Sequence, residues 1–268
     1  MDDKEIIELY KKGKSLASLS RLSNLSTYKV RQLLVDNNIK IRTQAQQNVF
    51  SNQERAKSVD EKYFNIIDTP NKAWMLGFLA ADGSVSKDRN RIKIGLSTID
   101  KEILEKIRQE MKIERAILDM ETNNGYQVSE LSWSSANQKK QLANFGIVPN
   151  KTYKVMEVPA FSLVDLKLAF VQGFFDGDGC FKDDGKTCRW EVCSYRPEIL
   201  QSIANTLNEI FSTNKQPYQD PSRQNYWTLT YSTKDAWNIL KKCYNICPLY
   251  LDRKFQKVMN WARRNQRI

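Results

Sequence analysis

An internal repeat constrains the fold of this chain more than any other feature. The stretch "WMLGFLAADGSV" (74–85) matches "FVQGFFDGDGCF" (170–181) at Gly, Phe, Asp and Gly, each 96 residues apart. The triplet Glu-Ile-Leu occurs at 102–104 and again at 198–200 with the same offset. Further on, "LSWSSA" (131–136) corresponds to "LTYSTK" (229–234) at an offset of 98. Three segments repeated at nearly one spacing predict two similar halves related by an internal pseudo-dyad.

Hydrophobic periodicity predicts the same order of elements in both halves. "IKIGLS" (92–97) and "TCRWEVC" (187–193) alternate polar and apolar residues, which indicates strands with one buried face. "KEILEKIRQEM" (101–111) and "EILQSIANTLNEIF" (198–211) have helical spacing. Turn residues at 122–126 and 220–225 separate paired strands, and the segment 147–161 connects the halves. The predicted class is α+β, with two pseudo-symmetric αββαββα halves and antiparallel sheets.

Small residues recur within the two motif helices and predict that these helices pack closely. They are Gly77, Ala80, Ala81, Gly173 and Gly177. Glycine in a helix costs roughly 1 kcal/mol relative to alanine, and a close contact between two backbones would offset that cost. Gly83 and Gly179, which follow the motif aspartates, are expected in the left-handed conformation that commonly ends a helix.

Asp82 and Asp178 then lie at the C-termini of two adjacent helices, where the helix dipole disfavours anions. At about 4 Å and an effective dielectric constant of about 20, their repulsion is on the order of 4 kcal/mol. An isolated Asp-Gly pair is usually only a turn, but its repetition after a matched helix favours a site for Mg²⁺ or another divalent cation such as Mn²⁺. The backbone carbonyls of Ala81 and Gly177 are further candidate ligands, because the last carbonyls of a helix lack intrahelical partners.

Composition and charge restrict the chemistry. The 42 Lys and Arg residues outnumber the 31 Asp and Glu residues, giving a net charge of +11, which fits a polyanionic partner as well as an ordinary basic enzyme. The absence of histidine excludes histidine bases, Ser-His and Cys-His pairs and histidine metal ligands. Five cysteines without a CxxC pair are expected to be reduced thiols. Without a membrane-length apolar run or a signal peptide, we expect a cytoplasmic protein of bacterial, phage or organellar origin.

"MLGFLAADG" and "VQGFFDGDG" resemble the two copies of the LAGLIDADG motif of homing endonucleases, and the resemblance covers residues 62–265. It implies a single-chain monomer whose saddle-shaped sheets lie on double-stranded DNA with a long specific site. It also implies that Asp82 and Asp178, each before the last motif glycine, bind metal and that each cleaves one strand. The implied function is a site-specific endonuclease that makes a double-strand break during intron homing.

Two positions depart from the family pattern. The earlier acidic position of the motif is Ala80 in the first copy and Asp176 in the second, a position that varies with packing. Family members often have a lysine before the last helix of each half, and Lys234 fits this place, whereas its repeat counterpart is Ala136. We therefore predict a catalytic role for Lys234 and unequal rates of cleavage for the two strands.

Residues 1–45 resemble the helix-turn-helix of resolvase-like DNA-binding domains. Helices are predicted at 3–12, 15–22 and 26–37, with leucines forming a core stripe. The implied recognition helix would place its first residues in a major groove. These residues are Ser26, Thr27, Tyr28 and Arg31. A polar linker at 46–65 would precede the two halves, expected at 66–155 and 156–268.

Polar strand and turn residues are candidates for reading base edges in the two halves. They are Arg91, Lys93, Arg189, Glu191, Arg223 and Gln224. A solvated sheet face would have the same composition. Two alternative functions remain open: a maturase that binds intron RNA, and a DNA-binding regulator without nuclease activity. Retention of both motif aspartates favours cleavage over either alternative.

Overall fold

The structure is a computed structural model that describes residues 1–56, 59–219, 221 and 226–268. The chain divides into two compact units, Met1–Ser58 and Val59–Ile268. Each unit has its own cluster of buried apolar side chains. The two units are therefore described separately.

The first unit contains the three helices that the sequence predicts. They are α1 (Asp3–Lys11), α2 (Leu16–Ser23) and α3 (Thr27–Asp36). Ser15 and Ser26 cap α2 and α3, each through a side-chain oxygen that accepts a hydrogen bond from the backbone three residues later. The buried side chains come from all three helices, since one helix alone cannot bury an apolar stripe. They are Ile6, Tyr10, Leu19, Val30 and Leu34.

The structure differs from a plain linker over 46–65. A fourth helix, α4, spans Gln44–Ala56. The Arg42 guanidinium lies 3.8 Å from the centre of the Tyr10 ring and 4.6 Å from that of Phe50, so it links α4 to the end of α1. Downstream, Tyr63 and Phe64 are buried in the core of the second unit. These few aromatic residues are too widely spaced in a polar segment to produce a periodic pattern.

The second unit consists of two successive αββαββα halves. The first half contains α5 (Pro70–Ala81), β1 (Gly83–Val85), β2 (Arg91–Ser97), α6 (Lys101–Glu110), β3 (Leu118–Glu121), β4 (Gln127–Ser134) and α7 (Ala136–Ala143). The second half contains α8 (Val164–Asp178), β5 (Gly179–Asp184), β6 (Thr187–Ser194), α9 (Pro197–Phe211), β7 (Tyr218–Gln219), β8 (Trp227–Ser232), α10 (Thr233–Ile246) and α11 (Asp252–Arg264). Short 3₁₀ turns cover Thr98–Asp100 and Lys151–Tyr153.

The two halves have the same sheet topology within the described residues. Each forms a four-stranded antiparallel sheet, in the orders β1-β2-β4-β3 and β5-β6-β8-β7. Ile94 pairs with Leu131 in the first sheet as Val192 pairs with Leu229 in the second, and all four side chains are buried. The fold class predicted from the repeat is confirmed.

Helix α11 has only a short counterpart in the first half. The segment "RKFQKV" (253–258) opens α11 and matches "NKTYKV" (150–155) at the 3₁₀ turn, with an offset of 103. Although α11 is rich in charge, Trp261 is buried and lies 6.2 Å from Phe181 and 6.1 Å from Trp237, between ring centroids. The second half therefore has a helix where the first half has one turn.

Helices α5 and α8 are in contact through two glycines, as the sequence predicts. A Cβ atom at Gly77 would lie closer than 3.0 Å to the carbonyl oxygen of Phe170, and one at Gly173 would lie as close to that of Trp74. Real Cβ atoms essentially never come so near. The two contacts are related by the 96-residue offset, so the helix pair forms the pseudo-dyad of the second unit.

The prediction of left-handed glycines after the motif aspartates is wrong. Gly179 is extended, with φ −87° and ψ 162°, and neither it nor Gly83 is among the residues with positive φ. Both glycines instead lie against the preceding helical turn, where a Cβ would come closer than 3.0 Å to the carbonyl oxygen of Leu79 or Phe175. The chain passes directly from helix to strand, and only glycine fits so close to the helix end.

Two further expectations concern the whole chain. All five cysteines are free thiols, three of them buried. In the part of the chain that the structure describes, no helix has the length and apolar character needed to cross a bilayer.

Candidate active site

The motif aspartates lie at the ends of the paired helices. Asp82 is the C-cap of α5, and Asp178 is the last residue of α8. Helix α5 begins at a Thr69 cap with Pro70 in its first turn, and both helices are buried along most of their length because they pass through the centre of the unit. Because the two helices are in contact at matched positions, their C-terminal ends and the two acids lie at the same end of the pseudo-dyad.

The electrostatic environment raises the pKa of both acids. Reduced hydration raises the pKa of Asp178 to about 6, with the charge of Asp82 as the second cause, although the side chain of Asp178 remains open to solvent. Burial is also the main cause that raises the pKa of Asp82. Lys151 and Lys254 oppose both shifts by favouring the ionised carboxylates. The site therefore consists of two acids that repel each other and two lysines that partly compensate.

Sequence reasoning missed these two lysines. Lys151 donates a hydrogen bond to the carbonyl oxygen of Ala81 at 2.5 Å. Lys254, 6% exposed, donates to carbonyl oxygens at the end of α8. These oxygens belong to Phe175 (2.7 Å), Asp176 (2.7 Å), Gly177 (3.3 Å) and Gly179 (2.6 Å).

The equivalence of the two lysines is visible in the sequence only at an offset of 103. Lys151 is the second residue of "NKTYKV" and Lys254 the second residue of "RKFQKV". The motif repeat has an offset of 96, so a search at that spacing does not align them. Burial lowers the pKa of both lysines, and the nearby carboxylates oppose that shift.

The site suits a hard divalent cation held mainly by carboxylates. A Cβ at Gly177 would lie closer than 3.0 Å to the Ala81 Cβ and 3.3 Å from the Asp82 Oδ2 atom, so the absence of a side chain there lets the end of α5 and its carboxylate lie close to α8. Two carboxylates match the preference of Mg²⁺ for oxygen ligands, and this ion commonly retains several waters. Among the described residues no group of three or more Asp, Glu, Cys or His side chains could hold a metal. Water and substrate oxygens would therefore complete the coordination.

The carbonyls predicted as ligands already have hydrogen-bond partners. The Ala81 oxygen accepts from Lys151, and the Gly177 oxygen accepts from Lys254. A cation would have to share these oxygens with the lysines or displace them. Their role as metal ligands stays a prediction.

Asp176 forms a buried polar network behind the site. Its Oδ2 atom accepts hydrogen bonds from Trp74 Nε1 at 2.9 Å and from Gln172 Nε2 at 3.1 Å. Burial raises its pKa to about 7, and the Lys254 charge is the largest opposing cause. The acidic residue at this motif position thus joins the two motif helices and lies near Lys254.

Lys234 lies in the first turn of α10, and its side chain is exposed. Among the described interactions none joins it to Asp82 or Asp178, whose opposing cations are Lys151 and Lys254. Its catalytic role stays a prediction.

The candidate base-reading residues lie on the polar faces of the sheets, opposite the core, and take part in ion pairs. Arg91 and Lys93 both pair with the buried Glu130 carboxylate, Lys93 at 3.1 Å. In the second sheet Arg189 pairs with Asp184 at 3.0 Å. Glu191, which is buried, pairs with Lys182 at 2.8 Å.

The remaining candidates lie elsewhere. Arg223 and Gln224 are outside the described residues. In the first unit, Ser26, Thr27, Tyr28 and Arg31 are exposed at the start of α3, with Tyr28 74% exposed. The Ser26 hydroxyl accepts from the Lys29 backbone at 3.2 Å, so it serves as the helix cap.

Comparison with solved structures gives similar folds at low sequence identity. The homing endonuclease I-WcaI bound to its DNA recognition sequence has a TM-score of 0.50 and 12% identity, covering 83% of this chain and 96% of that chain. The I-LtrWI LAGLIDADG homing endonuclease bound to target DNA has a TM-score of 0.46 and 14% identity, covering 77% and 90%. The N-terminal LAGLIDADG domain of DUF199/WhiA has a TM-score of 0.45 and 17% identity, covering 74% and 92%.

Comparison with curated proteins found no match. A sequence profile of the LAGLIDADG-like domain matches residues 69–146 and again residues 165–244, one copy in each half. Together the two matches cover more than half of the chain, and each includes one motif helix and its aspartate. The chain belongs to the LAGLIDADG-like domain family.

Proposed function

We propose that this protein is a site-specific DNA endonuclease that hydrolyses one phosphodiester bond in each strand of its target. The observation that carries this proposal is the placement of Asp82 and Asp178 at the ends of two helices in backbone contact. This placement raises the pKa of both acids, and a stability-driven sequence would avoid it. A bound divalent cation offsets their repulsion.

The chain's own residues divide the work between two equivalent positions. Asp82 and Asp178 would hold Mg²⁺ or a similar cation, which would activate water and stabilise the departing oxygen. Lys151 and Lys254 remain fixed by carbonyls at the helix ends, so their charges act on the site without reorganisation. Lys254 contacts several carbonyls and Lys151 one, and this difference supports unequal rates for the two strands.

The polar faces of the sheets supply side chains for DNA recognition. Arg91 and Lys93 share one carboxylate, so the pairing restricts their orientation before DNA binds. If such an ion pair were exchanged for a hydrogen bond to a base edge, the protein would discriminate between DNA sequences. The basic net charge of +11 supports attraction to the DNA backbone.

The first unit would add contacts through α3. Three of its exposed side chains, those of Thr27, Tyr28 and Arg31, lie within the first two turns, where recognition helices contact bases. We expect Arg31→Ala in the full chain to shorten the selected DNA site at one end without changing the rate of cleavage at saturating DNA. An unchanged selected site would remove the first unit from DNA recognition.

Cleavage selection from a randomised DNA library in Mg²⁺ tests the proposal. The control protein carries Asp82→Asn and Asp178→Asn, which keep the shape of both side chains. We expect the native protein to enrich one long site by cutting and the control to bind this site without cutting it. Binding without cleavage by both proteins would indicate a regulator, and failure to bind any duplex would favour a maturase that binds intron RNA.

Single substitutions separate the two cutting positions. Asp82→Asn and Asp178→Asn are each expected to leave a nicking enzyme, with opposite strands cut. Lys151→Met and Lys254→Met should each slow cleavage at one of these positions by one or more orders of magnitude. Lys234→Met should have little effect if Lys151 and Lys254 are the active cations. Strand-resolved single-turnover kinetics on a doubly labelled duplex would distinguish these outcomes.

A further inference from the structure

The second unit contains two clefts that occupy equivalent positions in its halves. One, of about 190 Å³, lies where Lys151 and Lys154 of the inter-half connector meet Ser194, the last residue of β6, and Arg196 after it. The other, of about 230 Å³, lies where Leu251 and Arg253 before and within α11 meet the segment after β2. Each cleft therefore joins the end of one half to the strand–helix junction of the other.

The two clefts differ in charge at matched positions. In the second cleft Arg253 pairs with Asp100, with Nε to Oδ1 at 3.1 Å and a terminal nitrogen to Oδ2 at 3.0 Å. At the offset of 96, the residue that matches Asp100 is Arg196, and at the offset of 103 the residue that matches Arg253 is Asn150. The position that holds an acid in one cleft thus holds a basic residue in the other.

The remaining lining residues enlarge this difference. Lys151, Lys154 and Arg196 line the first cleft together with a single acid, Asp178. The second cleft has three acids, Asp100, Glu102 and Asp252, and two bases, Lys106 and Arg253. We call the first cleft the cationic cleft.

The cationic cleft lies beside the candidate active site. Its lining includes Ala81 and Asp178 at the ends of the motif helices and Cys193 on the polar face of β6. The side chains of Thr152, Ser194 and Tyr226 add hydroxyl groups. Cations and hydroxyls together form the donor set that recognises phosphate oxygens.

We propose that the cationic cleft binds one phosphate group of the DNA backbone, and that the matched cleft around Asp100 binds none. This inference rests on the proposed function, because it assigns to one half a backbone contact near the cut that the other half lacks. Lys154 is the cation to test, since its side chain is exposed and lies outside the proposed cutting machinery. The repeat supplies its matched control, Lys257, which is also exposed.

The first experiment measures the salt dependence of binding to the selected duplex in the absence of divalent cations. Loss of one phosphate contact lowers the slope of log affinity against log salt by about 0.9. We expect this change for Lys154→Gln, restoration by Lys154→Arg, and an unchanged slope for Lys257→Gln. Equal changes for Lys154→Gln and Lys257→Gln, or no change for either, would overturn the inference.

The second experiment replaces single backbone phosphates of the duplex by neutral methylphosphonates. The second half-site is the part of the target that the second half of the protein contacts. A methylphosphonate at one position there should weaken binding by the native protein and have no effect on binding by Lys154→Gln. We expect no such position in the first half-site. A pattern symmetric about the centre of the site would overturn the one-sided contact while leaving the endonuclease proposal intact. Failure of the native protein to bind any duplex would instead contradict the endonuclease proposal itself.

Inorganic phosphate distinguishes a free anion from a backbone phosphate. If phosphate alone stabilises the native protein and Lys257→Gln but not Lys154→Gln, and no methylphosphonate position interferes, the cleft binds a free anion and the backbone assignment is wrong. The alternative outcome has two parts: phosphate at millimolar concentration competes only weakly with duplex binding by the native protein, and a methylphosphonate at one position weakens that binding. In this case the assignment to a backbone phosphate stands.

Discussion

At the scale of single residues, α8 has an acid at each end and the two ends differ in their surroundings. Asp165 lies in the first turn, where the helix dipole favours a carboxylate, and Asp178 lies in the last, where the dipole and Asp82 disfavour one. We therefore expect Asp178→Asn to increase the free energy of unfolding of the metal-free protein by roughly 1 kcal/mol, since contact with water screens the repulsion. Asp165→Asn should lower it slightly. Urea unfolding in EDTA measures both, and a loss of stability in Asp178→Asn would contradict the prediction.

The buried Asp176 carboxyl predicts a pH dependence of stability. Its pKa is about 7 in the folded protein against an ordinary value of 3.8 for an aspartate, so between these two pH values the folded state retains a proton that the unfolded state has lost. The free energy of unfolding should then decrease as pH rises from about 4 to about 7, by roughly 1 kcal/mol per pH unit. Asp176→Asn cannot titrate and should remove this contribution.

Unfolding of both proteins at several pH values in the absence of metal checks this prediction. Asp178, with a pKa of about 6, adds a change of the same sign in both proteins, so the difference between them isolates Asp176. A difference that does not vary with pH would show that Asp176 is ionised in the folded state throughout the range.

At the scale of elements, the contact between α5 and α8 depends on two glycines. Gly77→Ala and Gly173→Ala would each drive a Cβ into a backbone carbonyl, which cannot move away as a flexible side chain could. We expect each to cost more than about 3 kcal/mol, or to prevent folding. Gly95→Ala is the control, because its Cβ would meet only a Val128 methyl at 3.9 Å. Thermal unfolding should show no loss of stability in Gly95→Ala, and a similar loss in all three variants would contradict the role of the helix contact.

Periodicity and the repeat predicted most elements, and the failures have identifiable physical causes. Strand β6 and helix α9 follow from alternation and helical spacing because each buries one regular face. Helix α4 was missed because its packing depends on Phe50 and Arg42 rather than on a stripe. The prediction for the conformation of Gly179 is wrong, because an Asp-Gly pair does not show why the glycine is needed. It can be needed for a positive φ or, as here, for the close approach of the backbone to the preceding helical turn.

The acids of the candidate site could be predicted from the sequence, whereas its bases could not. Asp82 and Asp178 lie within the repeat itself, so their positions at two helix ends follow from the motif. Lys151 and Lys254 reach the site from a turn and from the start of a helix, and both arrive through tertiary packing. The family resemblance favoured Lys234, which is exposed in the structure.

At the scale of the whole molecule, the two compact units have separate apolar cores and should unfold separately. The first unit has only 58 residues, a size at which stability is marginal. Leu34 is fully buried in this unit. We expect Leu34→Ala to lower the free energy of unfolding of the first unit by about 2–5 kcal/mol and to leave the unfolding of the second unit unchanged. Leu200→Ala, equally buried in the second unit, should have the converse effect. A single calorimetric transition shifted by both variants would contradict independent unfolding.

The difference between Asp100 and Arg196 at matched positions has a consequence for gene organisation and for protein engineering. A protein assembled from two copies of one gene product must show the same residue on both sides of its axis. A single chain that contains both halves can have an acid on one side and a basic residue on the other, so its two sides can differ. A symmetrised chain built from two copies of either half would lose that polarity, and could read no difference between the two ends of its target.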